Sequence, residues 1–212
     1  WFVSTAPSCS IHHSAQLGEF AESSCILLVP ETYIGTDFSD IRGHNLSALR
    51  RVIFNQNAYY SFSSHKPIPT SEIFNYYHSP IVLHTLSVSE DTHNFLSRLI
   101  NLSDDRLSRI INAIEPQFSP SNTKSNTIHW MPRKNPDHVN AILTGINHAN
   151  NNEFSGWIGQ PIDNISHSQV ARMLNNARIF LSFGHPEGFG LPVAEAMAAG
   201  CWVIGYSGRG AE

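Results

Sequence analysis

Two glutamates, Glu187 and Glu195, stand with seven residues between them across a turn that carries Gly188, Gly190 and Pro192. Carboxylates accept hydrogen bonds from hydroxyls, and a glycine-bearing turn that opens a helix offers backbone N–H groups to a phosphate. The apolar run Ile179 to Phe183 before the turn reads as a strand. Pro192 suits the first helical position, where its fixed φ fits and its missing N–H would have had no partner. Ala194, Ala196, Met197, Ala198 and Ala199 are good helix formers, Gly200 is a left-handed stop, and Cys201 to Tyr206 reads as the next buried strand. The spacing therefore predicts strand, loop, short helix, strand, with Glu187 in the loop and Glu195 one turn inside the helix.

The ordered run Phe183-Gly-His-Pro-Glu187-Gly-Phe-Gly190-Leu-Pro-Val-Ala-Glu195-Ala-Met-Ala-Ala-Gly200 resembles the donor-binding signature of the retaining glycosyltransferases with the GT-B fold, the group 1 or family 4-like enzymes. The resemblance implies transfer of a sugar from a nucleotide-sugar donor to an acceptor hydroxyl of a saccharide, a lipid-linked or another molecule, with retention at the anomeric carbon. It implies that the backbone around Gly188, Phe189, Gly190 and Leu191 approaches the phosphates or the sugar. Glu195 would accept hydrogen bonds from the ribose hydroxyls, and Glu187 would contact the transferred sugar near the reacting carbon. Neither acid would be a metal ligand, and no cofactor or metal is required. His185, two residues before Glu187, either touches the substrate or shapes the loop.

Carboxylates alone would repel a diphosphate, so cationic groups are needed close by. Arg133 and Lys134 are the candidates: they follow the strand-like Thr127-Ile-His-Trp-Met131 and precede Asn135-Pro-Asp, a helix start with cap, proline and acid. Members of the family carry an Arg and a Lys just beyond the first strand of the second domain, and there they pair with the donor phosphates; here the two are adjacent. In Ser207-Gly-Arg-Gly-Ala-Glu212, Gly208 and Gly210 follow a strand and permit close approach of a ligand, as the resemblance places them near the donor.

The elements that must position these residues alternate between strand-like runs and amphipathic helices. Strands are expected at 25–29, 51–54, 81–87, 127–130, 157–158, 179–183 and 201–206. Three-and-four spacing predicts helices through Phe95 and Leu99 after a Ser89 cap, through Leu107, Ile110, Ile111 and Ile114 after Ser103, through Val139, Ile142, Leu143 and Ile146, and through Val170, Met173 and Leu174 after Ser166. Gln169 three residues after Ser166 completes a capping box. The fold class expected is α/β and GT-B-like: two Rossmann-like domains with parallel sheets covered by helices and a cleft between them. The Pro-, Ser- and Asn-rich stretch Glu115 to Asn126 reads as the linker, so that 1–118 would form an incomplete acceptor-side domain and 119–212 an incomplete donor-binding one. The chain opens on Trp1 and ends just after a motif that more sheet should follow, which reads as a fragment.

Composition narrows the partners. Thirteen basic against 17 acidic residues give −4 with no dense basic tract, which argues against nucleic acid. No apolar run reaches the roughly 18 residues that span a bilayer. Cys9, Cys25 and Cys201 are odd in number and lack metal or redox spacing, which suits a reducing interior such as cytoplasm. Asn45, Asn101 and Asn164 open Asn-x-Ser triplets without a signal peptide to accompany them. Of the 12 histidines, those apart from His185, among them His12, His13, His129, His138 and His167, are expected to be surface or satisfied residues. Asn55, Asn57, Tyr59 and Tyr60 either line an acceptor face or cap turns and fill a core. A nucleotide-sugar epimerase and a non-catalytic nucleotide-sugar binder remain the alternatives to a transferase. Two-carboxylate glycoside hydrolysis fits less well, because it needs both acids on one bond.

Overall fold

The computed structural model describes residues 25–41, 43–62, 68–149 and 155–210, and Cys9, His12, His13 and Glu212 lie outside them. These residues group into two compact units, one holding those up to Leu86 with Leu96–Ser108, the other Ser87–Phe95 with those from Arg109 on. Each unit is built on a four-stranded sheet dressed with helices. The two-sheet α/β architecture expected from the sequence is thus present.

In the first unit the strands are Ile26–Pro30 (β1), Arg50–Asn55 (β2), Val82–Ser87 (β3) and Leu107–Arg109 (β4), in the order β1-β2-β3-β4. β1 and β2 run parallel, Ile26 facing Arg50. The helices are Thr70–His78 (α1) and, from Leu96 on, the end of Glu90–Leu99 (α2). Ile53 and Val82 from the sheet pack with Ile73 and Tyr77 of α1, Leu96 of α2 and the adjoining Ile100. Ser89 caps α2 as expected, its Oγ accepting from the Thr92 amide at 3.1 Å. Asn55 is fully buried and donates to the hydroxyls of Tyr77 at 2.6 Å and Ser61 at 3.2 Å. Asn57 caps the turn that follows, accepting from the Tyr59 amide. Both amides therefore serve the core and the turn.

One expected helix is replaced by a strand. The residues 107–114 show helical spacing, yet Leu107–Arg109 form β4, and Ile111 is 90% exposed in the irregular stretch beyond. Pairing decides it: Thr85 donates to the Arg106 carbonyl at 2.8 Å and Ile110 to that of Ser87 at 2.9 Å, so β3 offers a ladder that a helix would forfeit. The Arg106 guanidinium adds bonds to the carbonyls of Tyr77, Ser79 and Val82, which end or follow α1.

The second unit orders Ile158–Pro161 (β6), Ser125–Trp130 (β5), Ala177–Ser182 (β7) and Trp202–Gly205 (β8) as β6-β5-β7-β8, every neighbour parallel. Its helices are Pro136–Ala149 (α3), His167–Asn176 (α4) and Leu191–Ala198 (α5). The strand period of two divides the faces. Phe180 of β7 packs with Val170 and Leu174 of α4 and Ala196 of α5, whereas Leu181 packs with Ile128, Trp130 and Val139 of α3. Ser166 and Gln169 form the expected capping box at the start of α4. β8 corrects another expectation. It stands at the edge of the four strands and leaves Trp202 78% and Ile204 53% exposed, so it is not a buried strand.

The segment taken as a linker has no helix or strand before β5 but is fastened to the second unit. Phe118 is buried against α4 and α5, the Asn175 side chain accepts from the Ser119 amide at 2.9 Å and donates to the Gln117 carbonyl at 2.8 Å. Lys124 extends this fastening, its Nζ donating to the carbonyls of Leu174 at 3.2 Å and Ala199 at 2.5 Å, near the ends of α4 and α5. Burial lowers the pKa of this ammonium, yet a cation there meets the negative ends of two helix dipoles, and it shares the Leu174 carbonyl with the Ala177 amide and the Cys201 thiol. Lys124→Ala should cost about 2 kcal/mol, the scale of hydrogen bonds to a charged group. Urea denaturation checks this; a loss below about 0.5 kcal/mol would show that water replaces the ammonium at no cost.

Among the described residues no helix is long and apolar enough to cross a membrane. Cys25 and Cys201 carry free thiols.

Candidate functional site

The loops that hold the candidate residues leave the carboxyl ends of β5, β7 and β8, three adjacent parallel strands. Open α/β sheets present ligand-binding residues at that edge because the loops there converge while helices cover the faces. After β5 the chain passes Arg133 and Lys134 and enters α3, with Asn135 held at φ 48° in the left-handed region. The Asn135 amide donates to the Phe183 carbonyl at 2.7 Å and to that of His185 at 3.2 Å, tying the β5 loop to the β7 loop.

Lys134 and Glu187 meet across that tie. Nζ lies 3.3 Å from Oε1, with the two side chains only 27% and 21% exposed. They share a cavity of about 60 Å³ walled by Met131, Arg133, the end of β7 from Phe180 to Gly184, and Gly190, Pro192 and Val193. Gly190 takes φ 82°, a left-handed conformation that glycine adopts without strain, and its carbonyl accepts from the amides of Val193 and Ala194 to start α5. The geometry therefore brings together Glu187, Arg133, Lys134 and Gly190, all expected at the site. Gly188, Phe189 and Leu191 stand outside the cavity wall, Gly188 buried and Leu191 44% exposed.

Gly208 and Gly210 lie against the loop that carries Glu187. The Gly208 carbonyl accepts from the Glu187 amide at 3.1 Å, and a Cβ at 208 would crowd the Glu187 Cβ at 3.1 Å. A Cβ at Gly210 would collide with the backbone of Gly188 and Phe189. They make room for that loop, so the turn after β8 buttresses Glu187 from behind. His185 is exposed, follows the tie to Asn135 into a cis bond with Pro186, and sets its ring 5.6 Å from that of Tyr206. It does not line the cavity.

Glu195 lies one turn into α5, as expected, but outside the cavity wall. It is 8% exposed, and its Oε1 is 2.9 Å from His167 Nε2. Burial pushes its carboxyl pKa up, and the hydrogen bond and charge of His167 oppose that shift. The other ring nitrogen, Nδ1, is 3.2 Å from Gln117 Nε2 and 3.5 Å from Glu115 Oε1. His167, Glu115 and Gln117 were not singled out from the sequence as site residues. The capping box was the available signal, because it fixes His167 as the first residue of α4.

Among the described residues no three His, Cys, Asp or Glu side chains gather as metal ligands would.

Residues 160–212 match the model of the family described as Glycosyl transferases group 1. An alpha-1,6-glucosyltransferase of Actinobacillus pleuropneumoniae serotype 7 (strain AP76) is 47% identical over 47 residues, 22% of this chain and 14% of that protein. Among solved structures, TarM is similar with a TM-score of 0.53 at 14% identity, over 86% of this chain and 41% of that one. A mutant of S. aureus TarM in complex with fondaparinux, alpha-GlcNAc-glycerol and UDP is similar with a TM-score of 0.50 at 12% identity, over 76% of this chain and 38% of that one. The likeness to TarM is one of fold, and the chain spans about two fifths of its length. The Glu187 loop, α5 and β8 thus lie within the stretch that matches the glycosyl transferases group 1 model, on the second of two parallel-sheet α/β units.

Proposed function

We propose that the chain is part of a retaining glycosyltransferase, in which the second unit holds a nucleotide-sugar donor and the first serves the acceptor. The observation that carries this reading is the shared cavity of Glu187, Lys134, Arg133 and Gly190 at the carboxyl ends of β5 and β7. A diphosphate needs cations and N–H donors, and a pyranose needs a carboxylate acceptor; both are supplied within one hydrogen-bonded loop pair. Arg133, Lys134 and the start of α5 would stabilise charge on the departing diphosphate, so the reaction would need neither metal nor cofactor. Glu187 would meet the transferred sugar, and Glu195, set apart from that cavity, the ribose. The acceptor hydroxyl would attack from the face the diphosphate leaves, with a phosphate oxygen taking its proton. The free thiols of Cys25 and Cys201 would suit work in the cytoplasm.

The test is a thermal-shift panel of nucleotide sugars followed by product analysis. A cognate donor at 100 times its Kd should stabilise the native state by about 2.7 kcal/mol, and Glu195→Ala should erase most of that gain. Transfer releases a nucleoside diphosphate and a glycosylated acceptor. An altered nucleotide sugar would mean epimerisation, and no stabilisation by any donor would sink the reading.

A further inference from the structure

Glu195 is the end of a directed chain of hydrogen bonds. Gln117 Nε2 lies 2.6 Å from Glu115 Oε2 and 3.2 Å from His167 Nδ1, so its two N–H groups serve the carboxylate and the ring. With Nδ1 accepting from Gln117, the neutral ring carries its proton on Nε2 and donates it to Glu195 Oε1 at 2.9 Å. Phe118 sets its ring 5.1 Å from the imidazole. The capping box on Ser166 and Gln169 fixes the backbone from which His167 projects. A buried carboxylate held at one oxygen keeps a single rotamer and offers the other to a ligand, whereas an unheld one samples several.

We propose that His167 is a positioning residue, steadied by the Gln117 amide that Glu115 fixes, which orients the Glu195 carboxylate to accept the vicinal hydroxyl pair of the donor's ribose. This rests on the donor reading above. Nothing in the arrangement bears on the base or on the transferred sugar; the ligand chemistry it selects is a cis-diol. The consequence is discrimination between ribose and sugars that lack those hydroxyls. A side chain that only stabilised α4 would not set such a preference.

The experiment measures binding of UDP, GDP and ADP and of their 2′,3′-dideoxy counterparts to the chain by calorimetry. The wild type should prefer the ribose form of its cognate nucleotide by about tenfold or more, the value of a hydrogen bond to a charged group. His167→Ala should bring that preference close to one while leaving affinity for the dideoxy form within about twofold. His167→Gln, which retains an N–H donor, should restore most of the preference. Gln117→Leu, which removes the donor to Nδ1, should lower it partway. In the Glu195→Ala background, His167→Ala should have no further effect. If His167→Ala keeps the full preference while Glu195→Ala loses it, the proposal falls and the ribose reading stands. Equal loss of ribose and dideoxy binding would also overturn it, because that is what a structural role predicts. If Glu195→Ala keeps the preference, or no nucleoside diphosphate binds at all, the donor reading fails and this proposal with it.

Discussion

Replacing Lys134 by methionine should lower turnover by about 10²–10³-fold, a loss larger than the roughly 1–2 kcal/mol of stability that the broken ion pair takes with it. The methylene stem keeps its packing in methionine, so the change removes charge more than volume. What is lost is an ammonium 3.3 Å from the Glu187 carboxylate, in a cavity where both side chains are largely shielded from water. Charges shielded in this way interact more strongly than exposed ones. With Lys134 absent, Glu187 loses its ion-pair partner, Arg133 is the cation left in the cavity wall, and the diphosphate of the proposed donor would depart with one cation fewer. The effect should fall on kcat more than on KM, because charge on the leaving group is greatest in the transition state. Glu187→Gln in the Lys134→Met background should recover part of the donor affinity by removing the unpaired carboxylate. Steady-state and single-turnover rates with the cognate donor decide the matter. A Lys134→Met rate within about threefold of wild type would remove Lys134 from the phosphate site.

That the site was legible at all follows from where its information lies. Glu187, Gly190, Pro192 and Glu195 fall within nine consecutive positions, and strand, turn and helix are dictated there by local preferences that tertiary contacts do not overrule. The same holds for the capping box at Ser166 and the cap at Ser89. The partner of Glu195 was hidden because His167 lies 28 residues away in sequence, and nothing in a lone histidine distinguishes a surface residue from one held between acids. The mistaken helix at 107–114 has the opposite cause. Its spacing is helical, but the free edge of β3 competes for the same residues, and β-branched isoleucines suit either state. α1 escaped notice because Asn75, Tyr76 and Tyr77 are indifferent helix formers, and only Ile73 and Tyr77 bury fully. Gly208 and Gly210 pack against the Glu187 loop, and a sequence does not say whether a glycine makes room for a ligand or for another stretch of backbone.

That last distinction is sharpest at Gly205, and the largest loss of stability is expected from Gly205→Ala. The residue ends β8 with φ +132°, a conformation that L side chains rarely adopt, and a Cβ there would run into the Ser182 carbonyl of β7. Backbone cannot swing aside as a long side chain can, so relief requires β7 and β8 to part. Their junction is well fastened: Ser182 Oγ donates to the Tyr206 carbonyl at 2.7 Å, and the Tyr206 amide to the Ser182 carbonyl at 2.9 Å. Parting them also withdraws the Gly208 carbonyl from the Glu187 amide, so the Glu187 loop loses its buttress with the strand. Strain of about 1–3 kcal/mol at one such residue, together with the lost pairing, should exceed about 3 kcal/mol. For a chain of this size that lowers Tm by roughly 10 °C. Gly156→Ala is the matched control, since Gly156 has φ +84° but nothing within 4 Å of its would-be Cβ. It should cost only about 1–2 kcal/mol, the left-handed penalty alone. Thermal melts of the two variants side by side separate backbone collision from conformational preference. Equal losses would mean that β8 moves away from β7 at no cost, and that the turn after it does not support Glu187.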